Sequence, residues 1–395
     1  MFDLLIQNAQ VLDGTGAPGF TADVAVKDGK IAAVGKLSGE AAETVDGTGL
    51  TLAPGFIDVH GHSDLFMALD PARASKLLQG VTTELCGQCG LGPAPVSEQN
   101  FPLYRKYLSQ QGVPMYPDNQ DFTSFSAYLE RMEKTKAGIH LAYFIPHGTV
   151  RMAVMGFSPA APDKPQLEPQ ALLRALTEKD TLARLASLLL QGSSAQSADA
   201  AEACGLDRLL ISNATKTPEA TGKTIAQLAQ ARGISAFEAY TALLLENELG
   251  VQYIKFGMSE ADVSYLMSDP LCMFGSDALY VPGLKMTHPR SIGTFPCILR
   301  RAVREERSIS LAEAVRKLTS LPAEVYGLRG KGLIRPGMDA DLVLFDAERI
   351  TDHATYAEPL LPNEGICRVY VDGVCAVRDD QYTGTMAGTL LRRSR

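Results

Sequence analysis

Two histidines stand one residue apart after a short apolar run, in the segment PGFIDVHGHSD at residues 54–64. In a β-strand, residues i and i+2 lie on one face, so His60 and His62 can direct two imidazoles toward one point. Neutral imidazole is a common zinc ligand. Histidines at this spacing also occur by chance, so the pair predicts a metal site only together with further ligands.

A Cys-x-x-Cys pair follows in the segment LCGQCGLGP at residues 85–93. Its two thiols are compatible with a redox pair or with half of a structural zinc site, although no second such pair follows at a suitable spacing. They are also compatible with buried core cysteines. Glycines on both sides of Cys89 indicate a close approach of the backbone there. This favours Cys89 as a metal ligand beside the histidines, and Cys86 as a core residue.

An aspartate follows another apolar run, in the segment FGSDALY at residues 274–280. A carboxylate at such a position, here Asp277, can act as a general base toward a water that a metal activates, and then return the proton to a leaving amine. The alternative is a helix N-cap after a strand. In combination with His60 and His62, the catalytic interpretation is favoured.

Strand patterns at both ends of the chain predict a small β domain. Alternating apolar residues flank Asp28-Gly29 and again Asp372-Gly373, and both dipeptides are typical of two-residue hairpin turns. The segment DLVLFD at 341–346 predicts a further strand. We therefore expect a β-sandwich built from residues 1–54 and 330–395. Two unrelated β flaps on a larger core are the alternative.

The middle, residues 55–329, alternates apolar runs with helical patterns, which predicts a parallel (β/α) barrel. A long helix is predicted over 166–190, a loop over 191–203, and a helix opened by a capping box of Ser310 and Glu313. Barrel enzymes carry their chemistry at the carboxyl ends of strands, and the site candidates follow predicted strands. These strands are 56–60, 82–86, 140–146, 208–212, 251–257 and 272–277.

Composition excludes several classes of protein. The net charge of −8 argues against a nucleic-acid surface, and no apolar run is long enough to cross a bilayer. The first residues, MFDLLIQNAQ, lack the basic region of a signal peptide. Seven cysteines, an odd number, favour reduced thiols over a disulfide framework. We expect a cytoplasmic protein.

Ordered motifs along nearly the whole chain resemble the N-acyl-D-amino-acid deacylases of the amidohydrolase superfamily. The motifs are PGFIDVHGHSD, GVTTELCGQCGLGPAPV, IPHGTVRMAVMG, FGSDA, HPRSIGTFPCILRRAVREE, TSLPAEVYGL and GLIRPGMDADLVLFD. The resemblance implies a metal-dependent TIM-type barrel with a flanking β domain from both termini. It also implies hydrolysis of an N-acyl-D-amino acid to a carboxylate and a free D-amino acid.

The resemblance also implies roles for single residues. His60 and His62 match the ligand pair of the first strand, and Cys89 matches the metal-binding cysteine, although the family usually has Gly-Asn-Cys-Gly where this chain has Gly-Gln-Cys-Gly. Asp277 matches the catalytic aspartate at the metal. Arg290 matches the residue that grips the substrate carboxylate, a bidentate task that suits guanidinium. For Arg290 a structural salt bridge is the alternative. One or two zinc ions are implied, because thiolate and imidazole favour zinc.

The chain departs from the family pattern in its middle. The family has two more metal-binding histidines on middle strands, but none of the six histidines here lies between residues 148 and 287. The match jumps near residues 175–178, so we expect an incomplete barrel whose middle strands are missing around 175–205. His147 is predicted to line the substrate site, with a role as a replacement ligand the alternative. Lys255, if carboxylated, would be another source of ligands.

Two classes of function follow. The first is a metal-dependent hydrolase of N-acyl-D-amino acids, with another linear or cyclic amide as a weaker enzyme alternative. The second is a truncated relative that binds ligand without turnover. The expected partner is a small molecule, with no nucleic acid and no membrane. Open sheet edges in an incomplete barrel also predict association into an oligomer.

Overall fold

The computed structural model describes residues 1–67, 69–110, 123–156, 174, 176–191, 205–280, 283 and 286–392. The chain forms two compact units. The first consists of Met1–Val96, Asp118–Val150 and Ser259–Arg395, and the second of Ser97–Pro117 and Arg151–Met258.

The described residues form fourteen strands and eleven α-helices. The strands are β1 Phe2–Val11, β2 Phe20–Lys27, β3 Lys30–Gly35, β4 Ala41–Asp46, β5 Thr51–Pro54, β6 Phe56–Asp58, β7 Val81–Cys86, β8 His140–Tyr143, β9 Leu210–Ala214, β10 Val251–Ile254, β11 Leu342–Phe345, β12 Ile366–Val371, β13 Val374–Arg378 and β14 Gln381–Tyr382. The helices are α1 Ala74–Leu77, α2 Phe101–Gln110, α3 Phe125–Lys134, α4 His147–Met155, α5 Lys179–Gln191, α6 Ile225–Arg232, α7 Ala236–Glu246, α8 Glu260–Ser268, α9 Arg290–Ile298, α10 Leu311–Leu318 and α11 Ser320–Tyr326.

Both ends of the chain enter one nine-stranded sheet in the first unit. Its order is β14-β13-β12-β11-β5-β1-β2-β3, and β4 pairs with β1 outside this path. The junction between the two ends is the antiparallel pair of β5 and β11. The prediction that strands from both termini combine is therefore confirmed, and the domain bounds of 1–54 and 330–395 stay a prediction.

Two tight turns set the register of the hairpins in this sheet. Asp28 and Gly29 have φ angles of 51° and 72°, and Asp372 and Gly373 have φ angles of 47° and 77°. A turn with two positive φ angles matches the right-handed twist of antiparallel strands, and Asp-Gly adopts it readily. Both hairpins predicted from these dipeptides are confirmed.

The core of the sheet comes from one face of its strands. Along β1 the inward positions are Leu4, Ile6, Ala9 and Val11, and a register shift between Ile6 and Ala9 returns the alternation to the same face. The cluster also contains inward residues of the neighbouring strands, so the sheet curls around its own core. These residues are Ala22, Val24, Val26, Leu52, Leu342, Leu344 and Tyr370.

A second sheet of the first unit holds β6, β7 and β8, all parallel. These are the first three predicted strands of the barrel. The predicted strand at 272–277 is wrong as a regular strand. The segment runs beside the end of β6 through the bonds Val59 N to Phe274 O (3.3 Å) and Asp277 N to His60 O (2.7 Å). The positive φ of Asp277, 47°, breaks its extended conformation.

The outer edge of β8 is covered by the C-terminal segment 388–391. Leu141 N donates to Thr389 O (3.0 Å), and Leu391 N donates to Leu141 O (2.8 Å). Gly388 N donates to Ala137 O, and a side chain at Gly388 would approach the Ile139 oxygen to 2.0 Å. The outer edge of β8 is thus paired within the same chain.

The second unit contains the antiparallel pair of β9 and β10. The sequence-based expectation of parallel strands is wrong here. Two helices connect the pair, α6 and α7, each opened by a capping box and joined at Gly233 with a φ of 64°. Because the two helices form a hairpin, β10 runs in the direction opposite to β9. Parallel strands are usually joined by a crossover connection with a helix.

The predicted helix over 166–190 lies partly outside the described residues, and α5 agrees with its last part. The predicted loop 191–203 also lies outside them, except at Gln191, which ends α5. The predicted capping box of α10 is half formed: Ser310 Oγ accepts from Glu313 N at 3.1 Å, but the Glu313 carboxylate binds Arg316 instead of the Ser310 backbone. None of the described helices is long and apolar enough to span a membrane.

Candidate metal centre

The two histidines lie in the turn that follows β6. The prediction that His60 and His62 share the face of a strand is therefore wrong, because β6 ends at Asp58. The Asp58 carboxylate instead folds the turn, with Oδ1 accepting from His60 N at 3.1 Å. The rings of His60 and His62 lie edge to face with centroids 5.5 Å apart. The imidazoles thus converge as predicted, by a different route.

Four side chains predicted from sequence meet at this turn. His60 Nε2 lies 3.3 Å from Cys89 Sγ and 3.4 Å from Asp277 Oδ1, and His62 Nε2 lies 3.1 Å from the same Asp277 oxygen. All four ligand atoms lie within 4.8 Å of one another. Among the described residues, no other cluster of His, Cys, Asp and Glu side chains contains any of these four.

Two of the four ligand residues have strained backbone conformations. Cys89 and Asp277 have φ angles of 55° and 47°, which non-glycine residues adopt at a cost. Two glycines make room for the approach of the segments. A Cβ at Gly61 would lie 2.0 Å from Glu84 Oε1, and a Cβ at Gly275 would lie 2.5 Å from His60 Cβ. Side chains at either position would push the histidine turn away.

Burial and charge tune the protonation of the centre. Burial lowers the pKa of His60, against the opposing effect of the Asp277 carboxylate, so the imidazole is favoured as a neutral ligand. Burial raises the pKa of Cys89, and the Asp277 charge adds to this effect. Burial alone would raise the pKa of Asp277, but the hydrogen bond from His62 and the charge of Arg290 outweigh it and lower that pKa.

Arg290 lies at the first position of α9, next to the centre. Its Nη2 lies 2.8 Å from Asp277 Oδ2, the carboxylate oxygen that does not face the histidines. The backbone N of Arg290 donates to His288 Nδ1 at 3.1 Å. Burial, and then the charge of Arg290, lower the pKa of His288 to about 4, so this imidazole is a neutral acceptor at pH 7. The hydrogen bond between Arg290 N and His288 holds residues 288–290 together beside Asp277.

Three further predictions concern single residues. Cys86 is buried in β7, in agreement with its prediction as a core residue. His147 is exposed at the start of α4 and makes no hydrogen bond or ion pair with the described part of the chain, so its substrate role stays a prediction. Lys255 follows β10 in the second unit and is exposed.

The charged residues beneath the centre and the neutral His288 were not predicted from the sequence. Asp58 lies in the motif PGFIDVHGHSD and Glu84 in GVTTELCGQCGLGPAPV. His288 begins the motif HPRSIGTFPCILRRAVREE. Lys76 carried no signal, because a lysine in a short helix usually lies on the surface. All three charged residues, Asp58, Glu84 and Lys76, are completely buried.

The donor set at the centre fits one zinc ion. Zinc bonds of about 2.0–2.3 Å to nitrogen, oxygen and sulfur in a tetrahedron place ligand atoms about 3.3–3.8 Å apart. The three distances among His60, His62, Cys89 and Asp277 given above, 3.1 to 3.4 Å, fall at or just below this range. Two imidazoles, a thiolate and a carboxylate are also the ligand types that zinc accepts.

A second cluster of possible ligand atoms, in the first unit, is already neutralised by a lysine. His140, Asp341 and Asp372 offer three ligand atoms, but Lys331 Nζ lies 2.6 Å from Asp341 Oδ2 and 3.0 Å from His140 Nε2. The ammonium supplies the positive charge that a cation would otherwise bring. This cluster is therefore an ion-pair network and not a metal site.

Comparison with known proteins decides the family. A profile of the amidohydrolase family matches residues 194–377. N-acyl-D-aspartate deacylase of Alcaligenes xylosoxydans xylosoxydans is 30% identical over 97% of this chain and 93% of its own length. The chain belongs to the N-acyl-D-amino-acid deacylase family. The D-aminoacylase of the same organism is 29% identical over 100% of this deacylase-family chain and 98% of its own.

Solved structures support the same placement. The crystal structure of N-acyl-D-glutamate deacylase from Bordetella bronchiseptica, complexed with zinc and a phosphonate mimic of the tetrahedral intermediate, has a TM-score of 0.79. It is 26% identical and covers 100% of both chains. A D-aminoacylase structure described for its binuclear metal centre has a TM-score of 0.77 at 27% identity, again over both whole chains. The deacylase fold, a TIM-type barrel with a β domain, is therefore that of this family member.

The alignment to the first relative extends over 477 positions, whereas this chain has 395 residues. At least 82 of those positions therefore have no counterpart here. This supports the expectation of a shortened chain. The missing middle strands themselves stay a prediction.

Proposed function

We propose that this deacylase-family chain hydrolyses N-acyl-D-amino acids to a carboxylate and a free D-amino acid, with zinc bound by His60, His62, Cys89 and Asp277. The observation that carries the proposal is the convergence of these four ligand atoms, with Arg290 against the far oxygen of Asp277. The relatives named for deacylation of N-acyl-D-aspartate and N-acyl-D-glutamate support the substrate class.

When bound, zinc supplies Lewis-acid activation of the scissile carbonyl and of a water. The chain supplies the proton transfer. Asp277, the ligand whose carboxylate can also carry a proton, would accept the proton of the attacking water in place of its bond to zinc, and would then deliver it to the nitrogen of the leaving amine. The pKa of Asp277 is lowered, so its carboxylate is ionised at neutral pH and is a weaker base than a free carboxylate.

Arg290 orients the substrate by its α-carboxylate. Guanidinium donates two parallel hydrogen bonds to a carboxylate, and its Nη2 already bonds Asp277. Its Nε is buried, so a substrate carboxylate would be bound by the Nη atoms, of which Nη2 would be shared with Asp277. A carboxylate held beside Asp277 places the adjacent amide nitrogen near the atom that returns the proton.

The test is turnover of a panel of N-acetyl-D- and N-acetyl-L-amino acids by zinc-supplemented protein. The proposal expects release of amine from D-substrates, and a loss of about 10²- to 10⁴-fold in kcat for Asp277→Asn. Asp28→Asn is the matched control, since this turn aspartate also has a positive φ and lies far from the centre in sequence. Equal rates for wild type and Asp277→Asn would overturn the proposal.

A second candidate function is binding without turnover. It is favoured by the alignment to the first relative, in which at least 82 of the 477 positions have no counterpart in this chain. In that case N-acyl-D-amino acids would bind to the zinc-loaded protein, measured by calorimetry, but none would be hydrolysed. Association into an oligomer, the cytoplasmic location and the absence of nucleic-acid and membrane partners stay predictions.

A further inference from the structure

A fully buried lysine lies beneath the metal centre. Lys76 stands in α1, and its Nζ donates to Asp58 Oδ2 at 2.5 Å and to Ser276 Oγ at 2.7 Å. It also lies 3.4 Å from Glu84 Oε2. Lys76 touches none of the four ligand side chains. It is the cation that Asp58 and Glu84 share.

Asp58 connects both backbone segments that carry ligands. Its Oδ1 accepts from His60 N at 3.1 Å and from Ser276 N at 2.9 Å. Its Oδ2 accepts from Ser276 Oγ at 2.6 Å, besides Lys76. One carboxylate thereby joins the histidine turn to the segment of Asp277, although more than 200 residues separate them in sequence.

Glu84 fixes the other end of the histidine turn. Its Oε1 accepts from Ser63 N at 3.0 Å, its Oε2 accepts from Ser63 Oγ at 2.6 Å, and Ser63 directly follows His62. The same Oε1 fills the space beside Gly61. The turn is therefore held before His60 by Asp58 and after His62 by Glu84.

Buried carboxylates need a counter-charge. Asp58 and Glu84 are both completely buried, and Lys76 is the ammonium that bonds them. Without Lys76 the two carboxylates would repel each other, with the buried Arg73 as the remaining positive charge acting on Glu84, and the hydrogen bonds that hold the turn and the 276–277 segment would change. Ligand atoms held by outer groups lose affinity for metal when those groups are removed.

We infer that Lys76 is a positioning residue of the metal centre, which sets the placement of His60 and His62 relative to Asp277 through the shared carboxylates Asp58 and Glu84. This inference rests on the proposed zinc site. It extends that proposal to a residue that touches neither metal nor substrate.

The experiment compares Lys76→Met with Lys331→Met. Lys331 is also a buried lysine between carboxylates, Asp341 and Asp339, but it contacts none of the segments that carry ligands. Both variants are expected to unfold more readily than wild type. Zinc affinity, measured by competition with a chromophoric chelator well below the unfolding transition, is expected to fall about 10- to 100-fold in Lys76→Met only.

Ser276→Ala provides a second variant that leaves the charges in place. It removes one hydrogen bond of Lys76, one of Asp58 and one from Ala278 N, so we expect a loss of zinc affinity of a few-fold in a folded protein. The absorption spectrum of the cobalt-substituted protein reports changed ligand geometry without turnover. Lys76→Met and Ser276→Ala are expected to shift its visible bands, and Lys331→Met is not.

The outcomes separate the two proposals. If wild type binds zinc and both Lys76→Met and Ser276→Ala bind it equally well, the positioning role is overturned and the metal site stands. If Lys331→Met loses as much affinity as Lys76→Met, the effect is general destabilisation and the inference is again overturned. If wild type binds no zinc, both the metal site and the role of Lys76 fall.

Discussion

Arg290 Nη2 lies 2.8 Å from Asp277 Oδ2, so the residue expected to bind substrate already holds the residue expected to move the proton. One guanidinium thus reaches both the base and the place where a carboxylate would bind. A substrate that brings its own carboxylate must share this guanidinium with Asp277. The proposed substrate-binding residue and the proposed base are therefore linked by one ion pair.

Arg290→Gln is expected to lower kcat/KM for an N-acyl-D-amino acid about 30- to 150-fold, the equivalent of ~2–3 kcal/mol for a lost charged hydrogen bond. Steady-state kinetics with the matching N-acyl-D-amino acid amide provide the control. That substrate has no carboxylate, so its kcat/KM should fall only by the part that comes from the contact of Arg290 with Asp277, and by less than that of the N-acyl-D-amino acid. An equal loss for both substrates would show that Arg290 acts on Asp277 alone.

Cys89→Ser is expected to weaken zinc binding at least about tenfold, because a soft thiolate ligand is replaced by a hydroxyl. Chelator competition measures the affinity. Cys86→Ser is the control, since Cys86 is buried in β7 and its pKa is raised well above the usual thiol range by burial. That control should lose stability and retain zinc affinity, and the opposite ranking would assign the metal to the wrong cysteine.

Gly275→Ala is expected to disturb the centre through space alone. The new Cβ would lie 2.5 Å from His60 Cβ, so the segment of Asp277 and the histidine turn must separate. We expect a loss of ~1–3 kcal/mol in urea unfolding and weaker zinc binding. Gly257→Ala, where the nearest atom to the new Cβ is 3.7 Å away, should change neither property.

The Lys331 network predicts a dependence of stability on pH. Burial would raise the pKa of Asp341, but His140 and Lys331 outweigh it and hold that pKa below the usual range. Because the folded-state pKa is depressed, this stabilisation is complete above the unfolded pKa of about 4 and is lost as pH falls further. Asp341→Asn should be less stable than wild type at pH 7, with the difference shrinking below about pH 4. Urea midpoints that stay parallel across this range would contradict the assignment, and Asp28→Asn is the control.

Gly388→Val tests the pairing of the C-terminal segment with β8. Its side chain would meet the Ile139 carbonyl, so segment 388–391 could not dock. We expect a lower melting temperature and concentration-dependent association, because an uncovered edge strand pairs with other chains. Size-exclusion chromatography and thermal unfolding measure both effects. Met386→Ala, at an exposed position two residues before this segment, should behave as wild type.

Local chemistry made parts of this structure predictable. Asp28-Gly29 and Asp372-Gly373 determine their turns through backbone conformation alone, and their hairpins are confirmed. The direction of β10 relative to β9 was not predictable in this way, because an apolar run predicts a strand without its direction. Only the paired capping boxes of α6 and α7 indicate that the chain turns back.

The residues of the candidate site also divide into those that the sequence predicts and those that it does not. His60, His62, Cys89 and Asp277 could be selected because each is a chemically reactive residue in a recognisable motif, and they meet in space. Lys76 could not be selected, since its importance arises from burial between two carboxylates that only folding brings together. Long-range charge pairs of this kind leave no periodicity in a sequence.

The pairing of residues 388–391 with β8 has a consequence for synthesis on the ribosome. β8 emerges early, but the strand that completes its outer edge is translated only after almost all the remaining chain. During elongation the nascent sheet therefore presents an unpaired edge, of the kind that is prone to pair with other chains. This sheet is completed only after the residues between β8 and segment 388–391 have been synthesised.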